Sequence, residues 1–442
     1  MNSEFSSLVD YLAAVQVAEP KRLPLRVALL GFGTVGASVA RILVERPELA
    51  GRLQLTHVFN RDVARKRAAW VPPSVTWTED VNDLLAATPD VVVEVIGGVD
   101  PVGGWVRRAL EQGASVVTAN KVLLAAQGPE LLHLAATRGT QLRFEAAVGG
   151  GVPLIHGVRE GLAGDNLIRV AGILNGTSNY VLSRMAKSHE DIAPVLEDAR
   201  KLGYAEADPS ADIDGDDAGA KLVVLAGIAF RRHLRLADIP RRSIRPISAA
   251  DFRYAARLGC TIRQISLVDA KGLGFHAFVG PALVPCDSSF GRNEGANNVV
   301  TIFGQFGGES SFSGAGAGGP ATAVAVVSDL LALSGHLRNG EHKEEWLPGA
   351  VVPPPPRPYY LRFVVRDRPG ILATIAAALA RQDINLDAVL QEPGYPKDAL
   401  PFVITVEACE EEALRVAVHD IAEADFHAQP PLALPMLLGE QS

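Results

Sequence analysis

This sequence of 442 residues predicts an α/β protein in three parts: a Rossmann-type parallel sheet, an α+β middle domain and a ferredoxin-like C-terminal domain. Three observations predict it. Arg26 to Leu30 is a short apolar run, followed at once by Gly31-x-Gly33-x-x-Gly36 and then by a helical pattern. Further strand-then-helix units recur at 91–96, 115–118 and 142–146. Beyond four consecutive prolines, Pro353 to Pro356, the elements read strand, helix, strand, strand, helix.

Composition narrows the class. Hydrophobic residues at 48% and charged residues at 21% describe a soluble globular chain able to bury large cores. A formal net charge of -8 makes no electrostatic case for nucleic acid or an anionic membrane as a partner. Cys260, Cys286 and Cys409 are odd in number, far apart and without metal-ligand spacing, which fits a reducing compartment. The chain carries no basic-then-apolar leader and no membrane-length run, so a cytoplasmic protein is expected.

Residues 1–24 read as a short amphipathic arm, with Phe5, Leu8, Val9, Leu12 and Val15 available to pack on the body or on a second subunit. Residues 25–147 read as the dinucleotide-binding domain. Gly31 permits a tight turn, Gly33 lets the backbone approach a pyrophosphate, and Gly36 lets helix pack on strand. Phe32, Thr34 and Val35 complete the turn that would touch the cofactor, and the helix from Ala37 to Glu45 starts behind it. The second strand, Leu53 to Phe59, ends in Asn60-Arg61-Asp62 where an NAD enzyme usually places an acid for the ribose 2′-hydroxyl. Arg61 suits a 2′-phosphate, so NADP is favoured and NAD remains usable. Arg65, Lys66 and Arg67 read equally well as a solvated helix start.

Ligands of such sheets lie at the carboxyl ends of the strands. One strand ends in Gly97-Gly98 and the next in Thr118-Ala119-Asn120-Lys121, so Gly97, Thr118 and Lys121 stand where cofactor and chemistry would meet. The strand from Leu142 to Ala146 runs into Val148-Gly149-Gly150-Gly151-Val152-Pro153. That glycine run is either a crossover between domains or, with Glu145, an oxygen-lined cation site.

Residues 148–313 form the expected middle domain. Ile173 to Tyr180 reads as strand into helix, and the amides of Gly176 and Thr177 at the helix start suit a carboxylate. From Gly203 to Phe230 the chain packs Glu206, Asp208, Asp212, Asp214, Asp216 and Asp217, then admits Lys221 before a wholly apolar run. Ala218 to Phe230 has helix length, an upstream aspartate could cap it, and Asp217 and Lys221 share one face at i and i+4. Two readings stay open here. One is a surface ion pair beneath a solvated acidic loop. The other is a lysine leading a buried helix, oriented by Asp217, with Glu206 facing a cationic substrate group. A calcium loop is excluded, because the glycine falls at place 4 instead of 6 and Val223 stands at place 12.

Strands are expected at 262–268 and 274–279. Gly304 to Gly319 reads as a glycine- and serine-rich loop, and Ala321 to Leu333 as an apolar helix. Gly314 to Gly319 is either a second close approach to cofactor or a hinge; a helix at about 314–340 would complete the first domain. Residues 341–356 are the expected linker, stiffened by its prolines. Residues 357–442 carry strands at 359–365, 384–390 and 402–406 and helices at 371–381 and 410–422, the order of a split βαβ unit. No acid-base constellation accompanies them, so this part reads as regulatory.

Together these segments resemble the homoserine dehydrogenase family. GFGTVG, DVVVEVIGG, VVTANKVLLA, EAAVGGGVP, GILNGTSNY and GYAEADPSADIDGDDAGAKLVVLA occur in the family's order from about Leu25 to Leu333, and the tail resembles an ACT domain, an amino-acid-sensing module. The resemblance implies reversible reduction of L-aspartate 4-semialdehyde to L-homoserine by NADPH or NADH, within threonine, methionine and isoleucine biosynthesis. It implies Lys221 as proton donor, Asp217 as its partner and a substrate contact, and Glu206 at the substrate's amino end. Asp212, Tyr204, Gly176 and Thr177 would border the substrate, and Lys121 would sit beside nicotinamide and substrate. Gly203 and Gly318 would touch the cofactor. Glu145 with the carbonyls of Val148, Gly150 and Val152 would hold a sodium ion. Ala315 departs from the basic residue common at its place, and Ala321 displaces the usual proline-threonine order. A homodimer or homotetramer is expected, with threonine as effector of the tail or, alternatively, a tail serving dimerisation alone.

The residue types suit the reaction. Hydride attack on an aldehyde builds negative charge on oxygen, and an ammonium group both stabilises and protonates it. A lysine of ordinary pKa, about 10.4, is a sound acid for reduction and a poor base for alcohol oxidation at neutral pH. An acyl-forming dehydrogenase would need a nucleophilic cysteine, and none stands in a strand-end motif. A non-catalytic nucleotide and amino-acid sensor is the remaining alternative, against which the two lysines, Asp217 and Glu206 argue.

Overall fold

Short β-branched runs closed by glycine turns build the first sheet in the computed structural model, which describes residues 23–272, 274–336 and 345–438. The arm with Phe5 to Val15 lies outside them. In chain order the first domain comprises β1 (Leu25–Leu30), α1 (Thr34–Glu45), β2 (Leu53–Phe59), β3 (Thr76–Thr78), α2 (Val81–Ala86), β4 (Val91–Glu94), α3 (Val102–Glu111), β5 (Ser115–Thr118), α4 (Lys121–Arg138) and β6 (Leu142–Arg143). The strands pair in parallel in the order β3-β2-β1-β4-β5-β6, so the direction of winding reverses between β1 and β4. Side chains alternate across this sheet. Val27, Leu29, Val91 and Val93 face one layer, and Ala28, Leu30 and Val92 face α3 and α4 on the other.

The strand expected to reach Ala146 stops at Arg143. Glu145 to Ala147 turn instead as a 3₁₀ segment, because the Glu145 amide is drawn to Asp329, 2.8 Å away.

The middle domain adds β7 (Leu167–Ile173), α5 (Gly176–Ser188), α6 (Ile192–Lys201), α7 (Asp216–Phe230), α8 (Ala249–Arg257), β8 (Cys260–Lys271), β9 (Gly274–Pro285), β10 (Asn297–Gly304) and β11 (Gly308–Ala315). Its antiparallel sheet has the order β9-β8-β7-β10-β11. β10 and β11 replace part of the loop expected from Gly304 to Gly319. An edge strand needs backbone pairing more than an apolar face, so the glycines and serines of β11 hide it from pattern reading. Helix α7 starts two residues earlier than Ala218, behind Gly215 in a left-handed conformation and without a side-chain cap. Asp216 and Asp217 thus occupy its first turn, where they complement the helix dipole. Nearly every residue from Ala218 to Ile228 is buried, because α7 is wedged between α4 and the antiparallel sheet.

α9 (Gly319–His336) returns to the first domain, where Ala323, Val326 and Leu330 cover the open face of the parallel sheet beside α1. The stretch leading into the four prolines is docked on the middle domain. Leu347–Pro348 pairs with Arg232–His233, and Val351 bridges Phe275. Trp346 is buried between the domains, edge-on to Phe144 at 5.6 Å and against Gly128 of α4 and Gly227 of α7.

The C-terminal domain contains β12 (Arg357–Val365), α10 (Ile371–Ala380), β13 (Leu386–Gln391), β14 (Leu400–Cys409), α11 (Glu411–Ala422) and β15 (His427–Pro435), with sheet order β13-β14-β12-β15. β15 completes the ferredoxin-like unit that the pattern carried only as far as its second helix. Tyr359, Leu361, Phe363 and Val365 face α10 and α11, whereas Tyr360 joins Val181, Leu182 and Met185 of α5 in a shared core. At that seam Arg362 pairs with Asp251 of α8 at 2.6 Å, both fully or nearly buried. The Tyr360 hydroxyl donates to the same carboxylate at 2.9 Å.

A Cβ at Gly227 would fall 2.5 Å from the Trp346 ring. Gly227→Ala is therefore expected to destabilise the fold by about 1–3 kcal/mol, read as a lowered Tm, with Trp346→Ala in the same chain relieving part of the clash.

Candidate active site

The carboxyl ends of β1, β4 and β5 open onto a cavity of about 280 Å³ that also reaches α7 and the glycine turns at 149–150 and 316–317. The fingerprint turn is built as its glycines require. Gly31 has φ +112°, and a Cβ at Gly36 would lie 2.1 Å from the Gly31 carbonyl oxygen, so α1 closes on β1 only with glycine there. At Gly33 a Cβ would meet nothing, which leaves the open approach a pyrophosphate needs. Val35 lines the cavity, while Phe32 is buried with its ring 4.7 Å from that of Trp77. Gly318 has φ +119°, and Gly319 packs so tightly that a Cβ would sit 2.6 Å from Thr34 Cγ2. The late glycine loop thus abuts the fingerprint turn. Arg61 is exposed beyond the end of β2.

Two residues that the sequence reading passed over hold the β4 and β5 ends. Glu94 accepts the N–H groups of Ile96 at 2.8 Å and Gly97 at 2.9 Å and the hydroxyl of Thr118. Asn120 caps α4 through Leu123 N–H at 3.0 Å and donates to the Gly98 carbonyl at 2.6 Å. Lys121 is consequently placed on the first turn of α4 with its side chain at the cavity. An acid ending an apolar strand and an asparagine before a helix were the available signals.

Asp217 gathers the charges. Its carboxylate contacts Lys221 at 2.7 Å and Lys121 at 3.1 Å, with its side chain only 13% exposed. The pair at i and i+4 is therefore part-buried, not a solvated surface bridge. Asn175, a further residue missed, caps α5 through Ser178 and donates to Asp217 at 2.9 Å and Asp212 at 2.6 Å. Burial alone would raise the Asp217 carboxyl, but Lys221 and Lys121, with hydrogen bonds from Lys221 and Asn175, overcome it and hold the group well below the usual range. Lys221 Nζ also donates to the Leu174 carbonyl at 2.8 Å, which Asn298 Nδ2 shares at 3.2 Å.

The remaining acids of the run separate by partner. Asp214 pairs with Arg245 at 2.9 Å and Asp216 with Arg241 at 2.8 Å. Asp208 holds the Ser210 N–H at 3.0 Å. Glu206 is exposed. Tyr204 near it stacks on Tyr180 at 4.4 Å, and its carbonyl accepts the Thr177 hydroxyl at 2.8 Å, fastening this loop to the start of α5. Gly203, with φ +79°, forms the turn after α6 and bonds to Arg200. Asn175 caps Ser178 and leaves the amides of Gly176 and Thr177 at the helix start.

Glu145 is 2% exposed, and its oxygens accept Ile155 N–H at 2.9 Å and His156 N–H at 2.7 Å. Burial pushes its carboxyl up. The Val152 carbonyl accepts Leu154 N–H at 2.7 Å, whereas among the described residues no hydrogen bond reaches the carbonyls of Val148 and Gly150.

Comparison with known proteins decides the family. A model of the homoserine dehydrogenase catalytic region matches residues 153–331, its NAD-binding domain matches 31–145, and an ACT domain matches 359–418. Homoserine dehydrogenase of Mycobacterium tuberculosis is 41% identical over 385 residues, covering 84% of this chain and 87% of its own. The chain belongs to the homoserine dehydrogenase family. The Neisseria gonorrhoeae homoserine dehydrogenase is 34% identical and covers 92% of this chain and 97% of its own. A crystal structure of a homoserine dehydrogenase from Thiobacillus denitrificans superposes with a TM-score of 0.86 at 33% identity, covering 93% of this chain and 98% of that one. A hyperthermophilic archaeal homoserine dehydrogenase in complex with NADPH gives 0.61 at 27% identity, over 70% of this chain and 97% of that one. As a family member the chain is an NAD(P)-dependent oxidoreductase of L-aspartate 4-semialdehyde and L-homoserine. Among the described residues no helix is long and apolar enough to cross a membrane.

The depressed Asp217 carboxyl sets a linkage with a definite sign. Its folded pKa lies below the unfolded one, so its ionised form stabilises the fold above about pH 4 and the contribution is lost as pH falls through the folded value. The unfolding free-energy gap between wild type and Asp217→Asn is expected to stay constant from about pH 5 to 8 and to shrink below about pH 4 in urea titrations.

Proposed function

We propose that Lys221 delivers the proton to the aldehyde oxygen of L-aspartate 4-semialdehyde, with Lys121 stabilising the charge that develops there. The carrying observation is the Asp217 carboxylate shared between the two ammonium groups. Of the three donors on Lys221, one goes to Asp217 and one to the Leu174 carbonyl, which leaves one for the substrate. Lys121 spends one donor on Asp217. Asp217, held ionised, orients both and accepts no proton during the reaction. The bound nicotinamide cofactor supplies the hydride, and the glycine turn, Gly97, Thr118 and Gly318 are the residues that would hold it.

The start of α5 is the reading for the substrate carboxylate, through the amides of Gly176 and Thr177. Glu206, with Asp212 and Tyr204 nearby in sequence, is the reading for the amino end. Arg61 beyond β2 supports NADP over NAD, since Asn60 and Arg61 follow the strand directly and the carboxylate of Asp62 is engaged with the Arg65 N–H. Glu145 with the carbonyls of Val148, Gly150 and Val152 would hold a sodium ion. A buried carboxyl displaced upward and two carbonyls that no donor reaches among the described residues support that cation, which would fix the crossover between domains.

A homodimer or homotetramer is the proposed assembly, supported by the open edge of β11 and by Phe306, 81% exposed at its hairpin. Threonine is the proposed effector of the ACT domain. Its effect would pass through the core shared with α5, whose first turn is the substrate reading.

Following NADPH oxidation with L-aspartate 4-semialdehyde tests the chemistry. Lys221→Ala is expected to lose about 10²–10⁴-fold in kcat; turnover near wild type would overturn its assignment. In the same assay threonine is expected to slow the wild type, and a rate indifferent to threonine would assign the tail to assembly alone.

A further inference from the structure

One carboxylate at the cavity plays no part in the mechanism above. Glu94 is fully buried at the end of β4, where Val91, Val92 and Val93 precede it. One oxygen accepts the N–H groups of Ile96 and Gly97, and the other accepts the Thr118 hydroxyl. Thr118 Oγ1 itself accepts the N–H of Asn120 at 3.0 Å, which leaves the hydroxyl proton for Glu94. Three donors converging on its two oxygens are the surroundings that suit the ionised form of a carboxyl group. Among the described residues no cation pairs with it, and both lysines of the cavity are drawn to Asp217.

A buried anion without a counter-ion is costly to maintain. Two of its three bonds do not require the charge, because a glutamine oxygen would take both amides. Its NH₂ would meet Thr118 Oγ1 only after that hydroxyl turned its proton to another acceptor. The charge itself therefore needs a purpose. Ile96 and Gly97, which Glu94 holds, line the cavity together with Asn120 and Lys121. The two states of a nicotinamide cofactor differ by one positive charge, carried on the ring of the oxidised form.

We propose that Glu94 supplies a fixed negative charge beneath the cofactor cavity, favouring oxidised over reduced nicotinamide and so poising the bound cofactor to give up its hydride. The proposal rests on reading this cavity as the nicotinamide site. Glu94 lies under the loop it supports, so it acts as a positioning and electrostatic residue. It is distinct from the lysines, which govern the proton and not the hydride.

The test is equilibrium binding of NADP⁺ and of NADPH to wild type, Glu94→Gln and Thr118→Val, with no substrate present. In Glu94→Gln the ratio of the NADP⁺ to the NADPH dissociation constant is expected to rise about tenfold, the size expected of one charge acting across about 12 Å at an effective dielectric constant of about 20. Thr118→Val breaks a hydrogen bond but keeps the charge, so both affinities are expected to weaken together with the ratio at its wild-type value. An unchanged ratio in Glu94→Gln would overturn the proposal. So would a Thr118→Val protein whose ratio moves as far, and that arm stands even where Glu94→Gln fails to fold. Wild type binding neither form would instead overturn the cavity reading on which the proposal depends.

Discussion

One carboxylate between two ammonium groups decides how the two larger domains meet. Lys121 comes from the parallel-sheet domain, Lys221 and Asp217 from α7 of the antiparallel one, and neither lysine can leave Asp217 without stranding a part-buried charge. The geometry is affordable because α7 is small and apolar nearly all round, so it sits between α4 and the second sheet with its first turn projecting into the cleft. Asn175 then ties the start of α5 to the same carboxylate. The first turns of α4 and α7 and the cap of α5 are in this way referred to one atom group, and the domain interface and the cavity wall become a single object.

Much of this was legible in the sequence because the demands are local. A glycine needed for φ +112° or for a 2.1 Å approach is needed whatever the rest of the chain does, so the strand–turn–helix reading at Gly31 to Gly36 matches β1 and α1. The spacing of Asp217 and Lys221 likewise fixes a shared helix face, though only the packing of α7 distinguishes a surface bridge from a part-buried one. The acids of the 206–217 run looked equivalent as letters. What separates them is the arginines some 25 to 31 residues later, Arg241 for Asp216 and Arg245 for Asp214, together with Asn175 far upstream.

Non-local pairing accounts for what was missed. The hairpin of β10 and β11 draws its order from backbone bonds to β7 and not from any apolar alternation in GESSFSGA. The strand break after Arg143 is caused by Asp329, which lies 184 residues beyond Glu145. Trp346 reads as an isolated aromatic in a linker, and its burial depends on glycines at 128 and 227 that look unremarkable in their own helices. Glu94, Asn120 and Asn175 act through short polar bonds that no hydrophobic period reveals.

The seam between the C-terminal sheet and the middle domain has a bearing on how such a chain can change over generations. Tyr360, Val403, Leu434 and Met436 complete a core with Val181, Leu182 and Met185, and Arg362 neutralises Asp251 inside it. Recombination that removed the coding segment for the tail would bare an apolar face on α5 and leave an acid without its cation. Loss of the ACT domain is thus not a matter of cutting at a proline-rich joint. It requires concerted substitution on α5 and α8, where the tail's apolar and ionic contacts end.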